Sequence, residues 1–474
     1  MKAYDKQYIG GVWRSGRGEK VLENRNPYSG ELLYTYRSAS REDVDDAYRA
    51  AKEAQKAWFA LPPSERVDAL ERLRQVMLEY APVMDECLLL ENGAAAPKRA
   101  YEVGDSPKFV RYFMSFPLMM EGKIQASDTP GQVNYVFRKP KGVITVIAPW
   151  NVPFILALRS VLPAVATGNA VVLKPASDTP ASAFIIAEMF EKAGMPAGLL
   201  NVVAGSGGEI GDYIVEHPMS DMVSFTGSTE VGRRIGEKAG GCIKDVSLEL
   251  GGNNTMLVLP DADLERAADR AVFGAFFHQG QVCMALNRIV VAGENYEKFC
   301  ALFVPKAAAL RAGDPADPAT FIGPLINAGQ VKHFNDLLEA TLKAGAKVLL
   351  EGRTEGNVIH PWVLGEITND MPAARNEMFG PMVSILRARD EAEAIAIAND
   401  TDYGLSNSVF GRDVYHAMSV AGKLESGMVH INDQSIGDEA HVMFGAEKQS
   451  GVGRFNGQWV LNKFTTEQWL AVNE

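Results

Sequence analysis

Two residues in this chain have the types and neighbours to do covalent chemistry on a carbonyl carbon. Cys283 closes the run Phe276-Phe277-His278-Gln279-Gly280-Gln281-Val282-Cys283, and Glu249 sits 34 positions earlier, in Leu248-Glu249-Leu250-Gly251-Gly252-Asn253-Asn254. A thiol attacks a carbonyl carbon, and a carboxylate takes the thiol proton or activates water. If the fold joins them, one site forms a thioester and then hydrolyses it. The Gly/Gln-rich approach to Cys283 suits a loop, and Phe273, Phe276 and Phe277 on the preceding helix can wall an apolar pocket. Leu248 and Leu250 give Glu249 apolar company, which raises a carboxyl pKa toward neutrality, and two glycines permit a sharp turn and close approach of a ligand. The bland alternatives are a small buried hydrophobe for the cysteine and a solvated strand-end carboxylate for the glutamate.

Two further segments complete a candidate constellation. Asn151 lies between Trp150 and Val152-Pro153-Phe154. It reads as a turn asparagine, or as an amide aimed at a reacting carbonyl to form an oxyanion hole. Gly227-Ser228-Thr229-Glu230-Val231-Gly232 follows an apolar strand candidate and opens a helix, where free N–H groups and the helix dipole suit a pyrophosphate. It is not the G-x-G-x-x-G fingerprint. Gly205-Ser206-Gly207-Gly208 reads as a turn.

The elements that must position these residues alternate in type. Ile9–Trp13 and Leu32–Tyr36 read as short strands. Ser40 with Asp43 forms a capping-box pattern ahead of a helix through Trp58, and Pro62-Pro63-Ser64 opens a second helix striped by Val67, Leu70, Leu73 and Met77. From residue 143, strands at Val143–Ala148, Ala170–Leu173, Leu200–Val203 and Met222–Phe225 alternate with helices at Ala181–Ala193 and Ile210–Glu216. This is the pattern of a doubly wound parallel sheet, whose ligands bind at the carboxyl ends of the strands. Pro149-Trp150-Asn151, Lys174-Pro175 and Thr226-Gly227-Ser228 fall there. After Gly251 a second α/β run has a helix from Asp261 to about Phe277, a strand at Arg288–Ala292, a helix at Val331–Ala344 and a strand at Met382–Leu386. Gly131–Arg138 alternates like a half-exposed strand, and the tail ends in strand-like Trp469–Val472.

Size and composition bound the reading. A chain of 474 residues, 47% hydrophobic and 22% charged, predicts a soluble protein of two or three compact units. Its net charge of −12 argues against nucleic acid or an anionic membrane as partner. No secretory h-region is visible, and the apolar stretch Val143–Leu173 is interrupted by Pro149, Asn151, Pro153, Arg159 and Asn169, so a buried strand and helix are expected. Four unpaired-looking cysteines point to reduced thiols in the cytoplasm, and no Cys/His spacing suggests a metal.

Taken together, Pro149-Trp150-Asn151, Lys174-Pro175-Ala176, Phe225-Thr226-Gly227-Ser228-Thr229, Glu249-Leu250-Gly251-Gly252, Gln281-Val282-Cys283, Glu377-Met378-Phe379-Gly380-Pro381 and Asn432 resemble the aldehyde dehydrogenase superfamily, in order and spacing, over essentially the whole chain. The resemblance implies two doubly wound α/β domains, a Rossmann-like dinucleotide-binding domain (1–121 plus 141–250) and a catalytic domain (251–449). A small β oligomerisation segment (122–140 plus 450–474) would build a homodimer or homotetramer. It implies that Cys283 forms a thiohemiacetal and then a thioester, that Asn151 and the Cys283 N–H hold the oxyanion, and that Glu249 activates the hydrolytic water. Cofactor contacts would come from Trp150, Lys174 (adenosine ribose), Ser177, Gly227, Ser228 (pyrophosphate), Leu250, Glu377 (nicotinamide ribose) and Phe379. NAD-preferring members often carry Glu where Ser177 stands. Serine would not repel a 2′-phosphate, so NADP is expected as cofactor, alone or alongside NAD.

Arg159, placed eight residues after Asn151 on the same helix, and Phe444 are the expected substrate contacts. Arginine there recurs in succinate-semialdehyde and in benzaldehyde/vanillin-type members. Asn432-Asp433-Gln434-Ser435-Ile436-Gly437-Asp438-Glu439-Ala440-His441 resembles the Asn-Asp-Glu-Pro-His loop of the aromatic-aldehyde group, with Gly437 and Ala440 departing from it. His441 reads equally as a substrate contact or a loop-fixing residue. The expected activity is NAD(P)-dependent oxidation of an aromatic aldehyde such as benzaldehyde. A semialdehyde dehydrogenase is the alternative within the family, and a non-redox cysteine hydrolase the alternative outside it. A non-catalytic scaffold protein and a CoA-acylating enzyme fit the intact Cys283, Glu249 and Asn151 less well.

Overall fold

The structure is a computed structural model that describes residues 2–473. Its largest sheet has eight strands, of which five central ones are parallel: Leu200–Val202, Ala170–Lys174, Val143–Ile147, Met222–Thr226 and Asp245–Glu249, in that spatial order. The chain enters at Val143–Ile147, winds outward through the next two strands, then crosses back to Met222–Thr226. The winding direction therefore reverses between Val143–Ile147 and Met222–Thr226, which is where open α/β sheets bind ligands. The Gln7–Ile9/Val12–Arg14 hairpin covers one edge and Gly451–Val452 the other.

A second sheet of seven strands follows, with Leu286–Ala292 and Asn254–Val258 central and only Lys347–Leu350 antiparallel to its neighbour. Its two faces bury separate apolar clusters, as two-sided helix cover requires. A third, antiparallel sheet joins Lys123–Gln125, Gln132–Pro140 and Thr465–Asn473, and leaves Ile124, Phe137 and Trp469 exposed.

Ser40 caps the helix Arg41–Ala60 through the expected capping box with Asp43. The strands expected between residues 143 and 386 all form, within two residues of their expected ends, and the tail strand is longer than expected, running from Thr465 to Asn473. Gly207–Gly211 forms a single π-helical turn, so the glycine cluster is only partly a simple turn. The expected helix from Asp261 begins at Leu264, because Asp263 caps it by accepting from Arg266 N. Arg159 lies on the helix Pro153–Ala166, but Asn151 precedes that helix instead of sharing it. All 14 residues of this helix are buried. Among the described residues no helix is long and apolar enough to cross a membrane, and no group of three or more His, Cys, Asp or Glu could hold a metal ion.

Candidate active site

Cys283 sits in the short turn between the helical segment Phe277–Gly280 and the strand Leu286–Ala292. The approach is contorted. His278, Gln279 and Gly280 all have positive φ, and a Cβ on Gly280 would overlap Gly380 O. Side chains hold this costly backbone in place. Gln279 Nε2 donates to Pro324 O (2.8 Å), and Gln281 Oε1 accepts from Ile326 N (3.0 Å). Beyond the cysteine, Asn254 Nδ2 donates to both Cys283 O (2.7 Å) and Ala285 O (2.8 Å). Gly252 packs on the same carbonyl so closely that a Cβ would overlap it. The loop expected around Cys283 is therefore a loop, but a rigid one.

Asn151 reaches Cys283 from the first sheet. Its Nδ2 donates to Gln281 O at 2.9 Å, and its side chain is buried. The turn that carries it is clamped from the helix Ala96–Phe113. Glu102 Oε1 accepts from Phe154 N (2.6 Å) and Ile155 N (3.2 Å), which satisfies the open N-terminus of the helix Pro153–Ala166. Lys98 pairs with Glu102 and donates to Asn92 Oδ1, and Asn92 Nδ2 donates to Trp150 O (2.9 Å). Neither Glu102 nor Asn92 is readable as part of the site from sequence, since they lie far from it along the chain.

Two cavities meet at Cys283 and Asn151, which line both. The larger, about 310 Å³, is bounded by Trp150, Gly227, Ser228, Leu250, Glu377 and Phe379. Six of the eight residues expected at a cofactor thus share one cavity with Cys283. Phe379, at φ +47, sets its ring edge-on to Trp150 with centroids 5.4 Å apart. Glu377 Oε1 accepts from Gly252 N (3.0 Å), and its enclosure raises the carboxyl to about 8. Ser228 caps the helix Thr229–Gly241 by accepting from Val231 N at 3.4 Å, so its hydroxyl already has a partner. Gln330 and His333, one turn apart on the helix Ala328–Lys343, also line this cavity. Their helical spacing was the only signal for them in the sequence.

Lys174 and Ser177 lie apart from this cavity, at and just past the end of the neighbouring strand. Lys174 is buried, its Nζ bonds Pro175 O at 3.2 Å, and burial lowers its pKa to about 8. Ser177 Oγ donates to Gly205 O at 3.4 Å.

The smaller cavity runs from Cys283 between Tyr101, Phe277 and Phe444 to Arg159 and Asp438. Phe273 stacks on Phe277 at 4.8 Å, while Phe276 turns into the second sheet's core beside Phe303. The expectation that all three phenylalanines wall the pocket holds for Phe277 alone: Phe273 stacks on Phe277 outside the lining, and Phe276 points to the opposite face. Arg159 is 1% exposed and stacks on Phe444, its Cζ 4.1 Å from the ring centroid. Its Nη1 faces Asp438 Oδ2 at 3.4 Å. His441 is exposed beside Tyr112 and is absent from this cavity's lining. Asn432 ties the ends of two strands by bonding Gly411 N and O.

Glu249 ends the strand Asp245–Glu249 at 2% exposure, and neither carboxyl oxygen has a hydrogen-bond partner. Burial lifts its pKa to about 8, against the pull of Arg159 and Arg454. It lines neither cavity directly, but its charge is felt at Cys283. Burial pushes the thiol up to about 12, with Glu377 and Glu249 adding to the rise and Arg159 opposing it. At neutral pH the resting thiol is therefore protonated and the glutamate is largely so. Ionising the thiol requires a base or an added positive charge nearby.

Comparison with known proteins gives a consistent result. Residues 13–470 match the aldehyde dehydrogenase family. The chain is 46% identical over 470 residues to a vanillin dehydrogenase of Corynebacterium glutamicum, covering 98% of this chain and 97% of that protein. The crystal structure of an NAD-dependent benzaldehyde dehydrogenase from Corynebacterium glutamicum superposes with a TM-score of 0.92 at 42% identity, covering 100% of this chain and 99% of that one. That of a salicylaldehyde dehydrogenase from Pseudomonas putida G7, complexed with salicylaldehyde, superposes with a TM-score of 0.96 at 35% identity, covering 99% and 98%.

Proposed function

The chain belongs to the aldehyde dehydrogenase family, and we propose that it oxidises an aromatic aldehyde to the carboxylic acid with a nicotinamide dinucleotide. The observation that carries this reading is the position of Cys283, where a cavity reaching the N-terminus of the helix Thr229–Gly241 meets a narrow cavity walled by aromatic rings. The vanillin, benzaldehyde and salicylaldehyde specificities of the similar proteins support the same substrate class.

Cys283 Sγ adds to the aldehyde carbon, and the thiol proton passes to Glu249 or to water. Asn151 Nδ2 and the Cys283 N–H donate to the oxygen that becomes negative. A nicotinamide held in the larger cavity would supply the acceptor for the hydride that leaves the substrate carbon, and the Cys283 adduct becomes a thioester. Glu249 then takes a proton from the water that attacks the Cys283 thioester, which releases the acid and restores the thiol. A pKa near 8 suits a base that must lose and regain its proton near neutrality.

The chain's residues fit the cofactor. The N-terminus of Thr229–Gly241 offers backbone N–H groups to phosphate. Glu377 keeps one oxygen free for a ribose hydroxyl, and Trp150, Gly227, Leu250 and Phe379 bound the space between them. Lys174 and Ser177 would meet the adenosine ribose. With no carboxylate at Ser177 and a buried ammonium at Lys174, NADP is accepted alongside NAD. The division into cofactor domain, catalytic domain and β segment belongs to the same reading, as does a cytoplasmic homo-oligomer built through the small antiparallel sheet, which exposes Ile124, Phe137, Trp469 and Leu470.

Steady-state oxidation of benzaldehyde, aliphatic aldehydes and succinic semialdehyde, each with NAD and NADP, tests the proposal. Benzaldehyde as the best substrate is expected; a linear semialdehyde with the higher kcat/KM refutes the aromatic reading. A preference for NAD above about 100-fold, or ~2.7 kcal/mol, refutes dual cofactor use.

A further inference from the structure

The aromatic-walled cavity is also lined by a charge pair that the catalytic steps do not use. Arg159 and Asp438 have side chains 1% and 3% exposed, with Nη1 and Oδ2 3.4 Å apart. Arg159 is sandwiched between Phe444 (4.1 Å) and Phe455 (5.1 Å), and its Nε and Nη2 are buried without partners. Asp438 is held in place from behind. Its Oδ1 accepts from Asn456 Nδ2 at 2.6 Å, and the same Nδ2 donates to Glu439 O at 3.2 Å. Asn456 adopts φ +58 to make these contacts.

An isolated arginine lining such a cavity would be a carboxylate receptor, because its fork binds a carboxylate in a planar, charge-assisted pair. Here the counter-charge is already built in. Buried charges persist where they are paired, and Asp438 is the carboxylate that faces this guanidinium. Asp438 lines the cavity together with Arg159 and Cys283. A substrate arriving with its own carboxylate would meet a neutralised arginine and a like charge beside it. A neutral ring can instead offer an oxygen to the unpartnered Nη2 at no such cost.

We propose that Asp438 is a specificity-determining residue, an internal counter-ion to Arg159 that excludes aldehydes bearing a second carboxylate and reserves the cavity for neutral aromatic ones. This rests on the aromatic reading of the site, and the two are tested separately. Benzaldehyde turnover by the unmodified enzyme tests the aromatic reading alone.

For Asp438, kcat/KM is measured for benzaldehyde and 4-formylbenzoate with the unmodified enzyme and with Asp438→Asn. The unmodified enzyme should strongly prefer benzaldehyde. The variant should shift the ratio toward 4-formylbenzoate by about 10- to 100-fold, mainly through KM for the anion, as loss of one like charge a few ångströms away implies. Adding Arg159→Met to Asp438→Asn should abolish that gain, whereas Asp438→Glu should keep the original ratio. A purely structural role would lower both activities together and leave the ratio alone. If Asp438→Asn does not fold, Asp438→Ala carries the same test without a new polar group to satisfy. A ratio shifted by less than about threefold, or an unmodified enzyme that uses both substrates equally well, overturns the proposal.

Discussion

Replacing Glu249 by Gln separates the cost of its buried carboxyl from its use. The side chain is 2% exposed with both oxygens unpartnered, and burial lifts its pKa from 4.5 to about 8. At about 1.4 kcal/mol per pH unit, that gap sets a ceiling near 5 kcal/mol on the price of ionising it in the fold. Below about pH 4.5 the group is protonated in both the folded and unfolded chain and contributes nothing. Between about 4.5 and 8 the unfolded chain releases the proton while the fold retains it, so folding loses stability as pH rises. Above about 8 the loss is constant.

Glutamine has no proton to lose and escapes this penalty, although its unpartnered amide costs the same at every pH. Water entering near Cys283 reduces the effect to roughly 1–3 kcal/mol. The melting midpoint of Glu249→Gln relative to the unmodified enzyme should therefore rise by about 1–3 °C on going from about pH 5.5 to pH 9. Thermal denaturation of both proteins without cofactor at the two pH values measures it. In rapid mixing with benzaldehyde and NAD, the variant should keep a burst of reduced cofactor, with steady turnover slowed about 10²- to 10⁴-fold. A midpoint difference that does not change with pH refutes the raised pKa. An absent burst in the folded variant refutes assigning Glu249 to acid release.

Other perturbations reach the parts that support this chemistry. Asn151→Ala should lower kcat by about 10²- to 10³-fold with little change in melting midpoint, because an oxyanion donor is lost; stopped-flow detection of reduced cofactor reads it. Glu102→Ala leaves Lys98 buried without its carboxylate and two helix N–H groups unmet, and should destabilise the protein by about 3–5 kcal/mol in thermal denaturation. Trp469→Lys, at an exposed residue of the small antiparallel sheet, should yield a smaller species by light scattering if that sheet joins subunits.

What the sequence disclosed was local or strongly patterned. Ser40 and Asp43 cap their helix within one turn, and the parallel strands from Val143 are short apolar runs between glycine and proline breaks. The strand Asn254–Val258 begins with polar Asn254, whose Oδ1 accepts from Ser406 N, and Thr255, whose backbone N–H donates to Asn407 Oδ1, so its pattern is weak. The helix Ala96–Phe113 carries Gly104 and Pro107, breakers that packing overrides. Phe276 and Phe277 are adjacent in sequence yet serve different cores, a distinction that depends on where the helix ends. The Asp438–Arg159 and Glu102–Phe154 pairings were hidden for a different reason. Their partners lie 279 and 52 residues apart, and only the folded chain brings them together.

The central claim is that Cys283 carries the acyl group between oxidation and hydrolysis. Its most direct test is intact-protein and peptide mass spectrometry of Glu249→Gln quenched just after mixing with benzaldehyde and cofactor. One benzoyl group per chain, on the peptide containing Cys283 and lost in Cys283→Ala, is the predicted result. Reduced cofactor formed without any acyl adduct, or an adduct on another residue, would contradict the account.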